Sequence, residues 1–457
     1  MHAAEQLATW SAGLRLDAIP EEVVGAAKLH LLDAVGTGLA ALALDEMAAA
    51  RAVALELGGG EEATALGLPR RVGAGAAALA NGSLMHALDF DDTHEAAIVH
   101  SSVVVAAAAL AAAEAAGAGG EEMLAAAVGG YEISARIGLA APGRLHLRGF
   151  HPTSVCGVFA AAAVASRLRR LSAEQTANAL GIAGSQAGGL MEYLADGSQT
   201  KPLHAGWAAH AGIVAAALTA HGATGPASVL EGRAGLLASH AGEFDATALT
   251  AGLGERWETP AISFKAYPCC HASHAVLNAV EASGLAAAEP EQVEEVVAVV
   301  PGDVAVGLVL EPAERKAAPA TPYEAKFSLP YCVGALLARG SLGVDAFTAE
   351  AIADPRALAL ASRVSYEVAE LAGGNELSGA VRARAAGREY EATVLWARGG
   401  PANPLSAAEV EAKFLRNAGL ALPGGEAERL LAILLDLEHR SATEVAALFP
   451  AAVPAAN

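Results

Sequence analysis

Over the first 260 residues, apolar positions recur at helical spacing and polar residues fall into short breaks. The pattern predicts helices over residues 23–44, 103–116, 121–137, 154–167, 173–190 and 208–221. Pro20-Glu21-Glu22 is a helix start, with proline early and acids near the positive end. Gly117-Ala118-Gly119-Gly120 is a break between two of these helices. Near residue 260 the texture changes. Residues 293–300 are β-branched and stop at Pro301, and residues 364–371 and 390–397 also read as strands. Helical stretches at 272–283 and 330–338 lie among them, and after Gly399-Gly400-Pro401 helices return at 406–417 and 426–437. The expected fold is mainly α. A large all-helical domain comprises residues 1–262 and, returning, 399–457, with a smaller α+β domain over 263–398.

Composition sharpens this picture. Hydrophobic residues make up 54% of the 457, charged ones 17% and aromatics 4%. That excludes a mainly disordered chain, and alanine-rich, phenylalanine-poor cores suit close-packed helices. Lys+Arg number 29 against 50 Asp+Glu, a net charge of −21. Such a surface repels phosphate, and no basic stretch offsets it, so nucleic acid is not an expected partner. Cys156, Cys269, Cys270 and Cys332 are too few for a disulfide framework and suit a reducing, cytoplasmic setting. No basic stretch precedes an apolar run at the N-terminus, so no signal peptide is expected. Residues 202–230 carry no Asp, Glu, Lys or Arg. Alanine and histidine drive insertion weakly, so this reads as a helix buried in protein, and no membrane is expected.

Ionisable residues gather in five places. The first is Asn81 to His94, NGSLMHALDFDDTH, followed by His100-Ser101-Ser102. On a helix, His86, Asp89, Asp92 and Thr93 would share one face. Three acids and three histidines between apolar helices are costly to bury without a purpose, although a solvated acidic turn is the plain alternative. The second is GFHPTS, where His151 stands just ahead of a helix start, placed to meet an anion, or is simply a loop histidine. The third is TKPLHAG. Lys201 is one of only six lysines and is either a paired structural cation or a carboxylate binder. The fourth, KAYPCCHASH, holds Lys265, Cys269, Cys270, His271 and His274. Adjacent cysteines without a second arm argue against zinc, and a Cys–His nucleophile lacks an orienting third group. The fifth is EAKFSLPY, whose Tyr331 is a proton donor or a core aromatic. P-loop, nucleophile-elbow, HExxH and dinucleotide motifs are missing, as is iron–sulfur spacing. What remains is His, Asp, Lys and Tyr: proton-transfer chemistry, with no cofactor and no metal expected.

These five segments, in this order, resemble the MmgE/PrpD family, whose reactions include 2-methylcitrate dehydration, cis-aconitate decarboxylation and iminodisuccinate epimerisation. The resemblance runs over about residues 1–450. It implies a homodimer of cofactor-independent subunits, each a large helical domain with a smaller α+β lid. Carried over motif by motif from the decarboxylases, the site residues fall on Asp89, Thr93, His100, His151, Lys201 and Tyr331. A further histidine of the decarboxylases falls on Cys270 when Lys265, Pro268 and His274 are aligned, with His271 next door. His100-Ser101-Ser102 also departs from the His-Pro common in the family, and the gap from Thr93 is one residue longer than in the decarboxylases. The implied catalytic set is Asp89, His100, His151 and Tyr331. Thr93, Lys201, Lys265, Cys270, His271 and His274 would bind the substrate, a small polycarboxylate. The expected activity is that of a hydro-lyase most like 2-methylcitrate dehydratase. The alternatives are an imino-dicarboxylate epimerase, a cis-aconitate-type decarboxylase or a non-catalytic binding protein.

Overall fold

The computed structural model describes residues 1–302 and 305–452. The chain forms two compact units. The first holds Met1–Ala87, Asp91–Ser263 and the chain from Ser406 on; the second holds Leu88–Phe90 and Phe264–Leu405.

The principal helices of the first unit are α1 (Glu21–Ala43), α2 (Ala74–His86), α3 (Ser101–Ala116), α4 (Gly120–Leu139), α5 (Pro152–Leu168), α6 (Ala173–Gly184) and α7 (Thr200–Ala220). Helix α3 is buried continuously from Ser101 to Glu114, which explains why its sequence is apolar on every face. Helix α7 packs against both α2 and α5. Small residues permit this approach. A Cβ added at Gly206 would lie 2.2 Å from the Leu79 carbonyl oxygen of α2, and one at Gly212 would lie 2.4 Å from Ala161 Cβ of α5. Helices α1 and α7 are long and apolar enough to span a bilayer, but 72% and 56% of their apolar windows are buried within the protein. Several expected boundaries move, and α7, expected from residue 208, begins at Thr200. Helix α6 stops at Gly184 instead of reaching residue 190. Helix α2 stops at His86, so His86, Asp89, Asp92 and Thr93 do not share a helical face. Asp89 takes a left-handed backbone, φ +52°, which ends any helical continuation.

The second unit is built on a four-stranded sheet of order β2-β1-β3-β4, with β1 Val293–Val300, β2 Val364–Val368, β3 Gly379–Ala385 and β4 Arg388–Val394. Strands β1 and β2 are parallel, with Val296 opposite Val364, and the other pairs are antiparallel. Ala386 and Gly387, both at positive φ, close the two-residue β3–β4 hairpin. Helix α8 (His274–Ala282) packs on β3 and β4, and α9 (Leu329–Arg339) adds Val333 and Leu336 to a core shared with Val276, Val280, Val296 and Val381. Strand β3 went unread in the sequence. Its alanines and arginines are weak strand formers. Register makes it one, burying Val381, Ala383 and Ala385 and turning Arg382 and Arg384 outward to Glu367 and Glu294.

Beyond the second unit the chain returns with α10 (Ala407–Ala418) and α11 (Glu426–Leu435). Helix α10 packs on α1, placing Phe414 over Gly36 and Lys413 Nζ 2.8 Å from Asp33 Oδ1.

Candidate active site

In the first unit, four histidines converge from four helix ends. His86 closes α2, while His100 and His151 are the N-caps of α3 and α5. His204 lies in the first turns of α7, which begins at Thr200 and also carries Lys201. The segment between α2 and α3 is irregular but pinned. Thr93 and Ser263 exchange two backbone hydrogen bonds of 2.9 and 2.8 Å, and the His100 N–H donates to Thr153 Oγ1 at 3.1 Å. Ring centroids lie 5.0 Å apart for His86 and His100, 5.5 Å for His86 and His151, and 5.3 Å for His151 and His204. His86 Nδ1 is 2.9 Å from Asp91 Oδ2, and His100 Nδ1 lies 2.7 Å from the Asp92 carbonyl oxygen and 2.9 Å from Thr93 Oγ1. His151 and His204 face each other through Nδ1 at 3.2 Å.

Charge is unevenly spread over this cluster. Burial holds the His151 imidazole well below its ordinary range, and the neighbouring His86, Lys201, His100 and His204 push it further down. His204 is lowered to about 4, by burial first and then by His86 and Lys201. His146 is lowered by burial and by Lys201. Lys201 is itself buried, at the N-terminal end of α7, where the helix dipole is already positive. Neutral imidazoles, a lysine and the N-termini of three helices therefore make a place suited to an anion.

A buried polar network supports the cluster. Asp92 meets His30 Nδ1 at 2.8 Å, accepts the Ser102 N–H at 3.1 Å and is bonded by the Ser102 hydroxyl. Beside it sits the Asp33–Lys413 ion pair. Burial raises the Asp33 carboxyl to about 6 despite the lysine. The motif comparison does not place His86, Asp91, Asp92, His204, His30, Asp33 or Lys413 among the site residues. The signal for His30 and Asp33 is present: two ionisable residues three apart in a stretch, residues 29–44, with no other charged residue. Lys413 carried none, because its helix is amphipathic and charged throughout.

The remaining expected residues lie in the second unit. Lys265 Nζ is 3.1 Å from Asp89 Oδ1 and donates to the Asp89 carbonyl at 2.9 Å, with both side chains buried. Lys326 Nζ donates to the Leu88 carbonyl at 3.1 Å and sits 4.7 Å from the Phe347 ring centre. The Cys270 N–H donates to the Lys326 carbonyl at 2.8 Å, and Cys270 is partly exposed. The His271 and His274 rings stack 4.9 Å apart. Burial lowers His271 to about 3, assisted by Lys265, and holds His274 well below its ordinary range. Tyr331 is fully buried in the core, and its hydroxyl donates to the Ala346 carbonyl at 2.5 Å. That geometry is the core-aromatic arrangement and lends no support to a proton-donating role. The structure thus groups Thr93, His100, His151 and Lys201 within one unit, and Asp89, Lys265, Cys270, His271 and His274 within the other.

Comparison with known proteins identifies two family domains along the chain. The MmgE/PrpD N-terminal domain matches residues 5–249, and the MmgE/PrpD C-terminal domain matches residues 267–439. The chain belongs to the MmgE/PrpD family. Among curated MmgE/PrpD relatives, the cis-aconitate decarboxylase of Homo sapiens is 30% identical over 458 residues, covering 95% of this chain and 91% of the relative. The cis-aconitate decarboxylase-like protein oryM of Aspergillus oryzae is 31% identical over 293 residues, 60% of each chain. Cis-aconitate decarboxylase of Aspergillus terreus is 30% identical over the same length, 60% of this chain and 59% of the relative.

Proposed function

We propose that this protein is a cofactor-independent lyase acting on a small polycarboxylate, and that decarboxylation of a cis-aconitate-type tricarboxylate is its reaction. The observation that carries the reading is Lys201, a cation buried at the positive end of α7 beside imidazoles held neutral. A carboxylate bound there meets the charge of the lysine and the positive end of the helix dipole. Loss of CO₂ leaves an electron pair on the carbon that held it, and a proton must be delivered there to give the dicarboxylate product. His100 or His151 delivers it as an imidazolium, which the negative charge of the bound polycarboxylate favours. The Thr93 hydroxyl and the Asp92 carbonyl fix the His100 ring, and His204 fixes that of His151. The curated relatives support decarboxylation.

One residue favours a second reading. Cys270 stands where the resemblance puts a histidine of the decarboxylases, and a side chain altered there suits the 2-methylcitrate dehydration expected from the sequence. In that reaction an imidazole removes a proton next to a carboxylate, and hydroxide leaves protonated as water. Incubation in D₂O with each acid, followed by proton NMR, separates the two. Decarboxylation gives a dicarboxylate carrying one solvent deuterium, whereas dehydration gives an unsaturated tricarboxylate. His151→Asn abolishes turnover on either reading. Lys201→Ala lowers kcat/KM roughly 10- to 150-fold, the loss of one charge-assisted contact. A folded protein that turns over neither acid, or a His151→Asn variant as active as the parent, overturns the proposal.

A further inference from the structure

We propose that His86, His100 and His151 form a binding site for a late first-row divalent cation, Zn²⁺ foremost, whose occupation switches off the proton-transfer centre. The switching half of this rests on reading these histidines as the acid–base groups; the binding half does not. Among the described residues, these three are the one group of histidine, cysteine, aspartate or glutamate side chains whose ligating atoms all lie within 4.8 Å of one another. Nε2 of His86 and Nε2 of His151 are buried and have no hydrogen-bond partner. A polar atom left so costs stability unless something binds it, which marks the place as one shaped for a ligand.

The donor set fits a metal in three respects. First, each ring is oriented through its other nitrogen, as in metal-binding histidines generally. His86 Nδ1 is held by Asp91 at 2.9 Å, His100 Nδ1 by the Asp92 carbonyl at 2.7 Å and His151 Nδ1 by His204 at 3.2 Å. Second, three imidazoles with an open fourth position are a common set for zinc, and nitrogen donors select zinc, copper or nickel over magnesium or calcium. Third, the required movement is small. Tetrahedral bonds of about 2.0–2.1 Å place nitrogens about 3.4 Å apart, so no pair need close by more than roughly 1.4 Å, within reach of modest side-chain rotation. Lys201 opposes a second cation here, and the buried Asp91 and Asp92 carboxylates oppose Lys201. Inhibition follows from occupancy: a ring nitrogen bound to metal carries no proton and accepts none.

The test uses the full chain stripped by chelator. Co²⁺ is titrated while its visible d–d absorption is followed, and Zn²⁺ is titrated by calorimetry. One equivalent per chain is expected, with the tetrahedral Co²⁺ spectrum bleached by Zn²⁺. Affinity falls at least tenfold in His86→Asn and in His151→Asn, and about 10- to 100-fold in Asp91→Asn, which removes only the orienting carboxylate. X-ray absorption at the zinc edge of the unaltered protein shows nitrogen ligands without sulfur, a readout that needs no variant to fold. Absence of saturable binding, sulfur in the zinc shell, or affinity unchanged in all three variants overturns the site. Zn²⁺ also abolishes turnover, and EDTA restores it; binding without inhibition overturns the switch. Metal binding in a protein that turns over neither acid leaves the site standing and removes the lyase reading. Turnover without metal binding does the reverse.

Discussion

Gly206→Ala probes the helix contact on which the histidine cluster depends. The added Cβ would lie 2.2 Å from the Leu79 carbonyl oxygen, 2.3 Å from Ser83 Oγ and 3.0 Å from Ser83 N. A carbon and a carbonyl oxygen need about 3.3 Å, so α7 must move from α2 by roughly 1 Å at the crossing. Two of the three clashing atoms are backbone, which no rotamer change can relieve. Overpacking of this kind costs about 1–3 kcal/mol, and a rigid backbone puts it near the top. Alanine returns about 0.8–1 kcal/mol of helix propensity. The net loss is about 2 kcal/mol, or a fall in Tm of roughly 4–8 °C at most for a unit of this size. Lys201 and His204 ride on the displaced helix, and a 1 Å misplacement can cost about 10²-fold in rate. Differential scanning calorimetry and steady-state kinetics measure the two effects. Gly25→Ala is the control, because its Cβ meets nothing within 4 Å and it lies within α1, so it raises Tm. A Gly206→Ala protein with parental Tm and kcat would refute the α2–α7 contact as the element that positions the cluster.

Two further outcomes are expected. Lys413→Met strands the buried Asp33 carboxylate and lowers stability by about 3 kcal/mol, the lower end for a broken buried pair because Asp33 already binds a proton readily; thermal unfolding should show Asp33→Leu with Lys413→Leu recovering most of the loss, and a single variant as stable as the parent contradicts the pairing. Acid should destabilise the protein. His151, His204, His271 and His274 have folded values below the unfolded one, so their contribution is complete above about pH 6.5 and declines as pH falls, when the unfolded chain takes up protons first. Asp33, raised to about 6, and Glu132, also raised by burial, work in the opposite sense, but they are two groups against four. Tm at pH 5.5 is expected below that at pH 7.5, and equality or reversal counts against burial of neutral imidazoles.

The sequence carried the long elements because their burial is one-dimensional. A helix such as α3 or a strand such as β1 shows its surroundings in its own spacing. It did not carry β3, whose identity comes from Val381 and Ala383 meeting β1 in register. Nor did it carry the end of α2, because the signal that stops it is the left-handed Asp89, an aspartate like its neighbours in the text. The candidate site was legible as motif, in Thr93, His100, His151 and Lys201. What escaped was its support. His30, Asp33 and Lys413 come from segments up to about 380 residues apart, and only folding gives them a common purpose. Tyr331 is the opposite case: a residue matched by motif whose hydroxyl is already engaged with Ala346.

The late arrival of α10 sets the order in which this chain can mature on the ribosome. Lys413 and Phe414 emerge about 150 residues after Ser263, roughly 8–30 s later at ordinary rates of translation. Until then Asp33 lacks its cation, and the face of α1 around Gly36 lacks the aromatic ring that closes it. The second unit, contiguous except for three residues, is synthesised within that interval and can fold during it. The nascent helical body therefore waits, unfinished and with apolar surface bare, for a segment encoded near the end of the message.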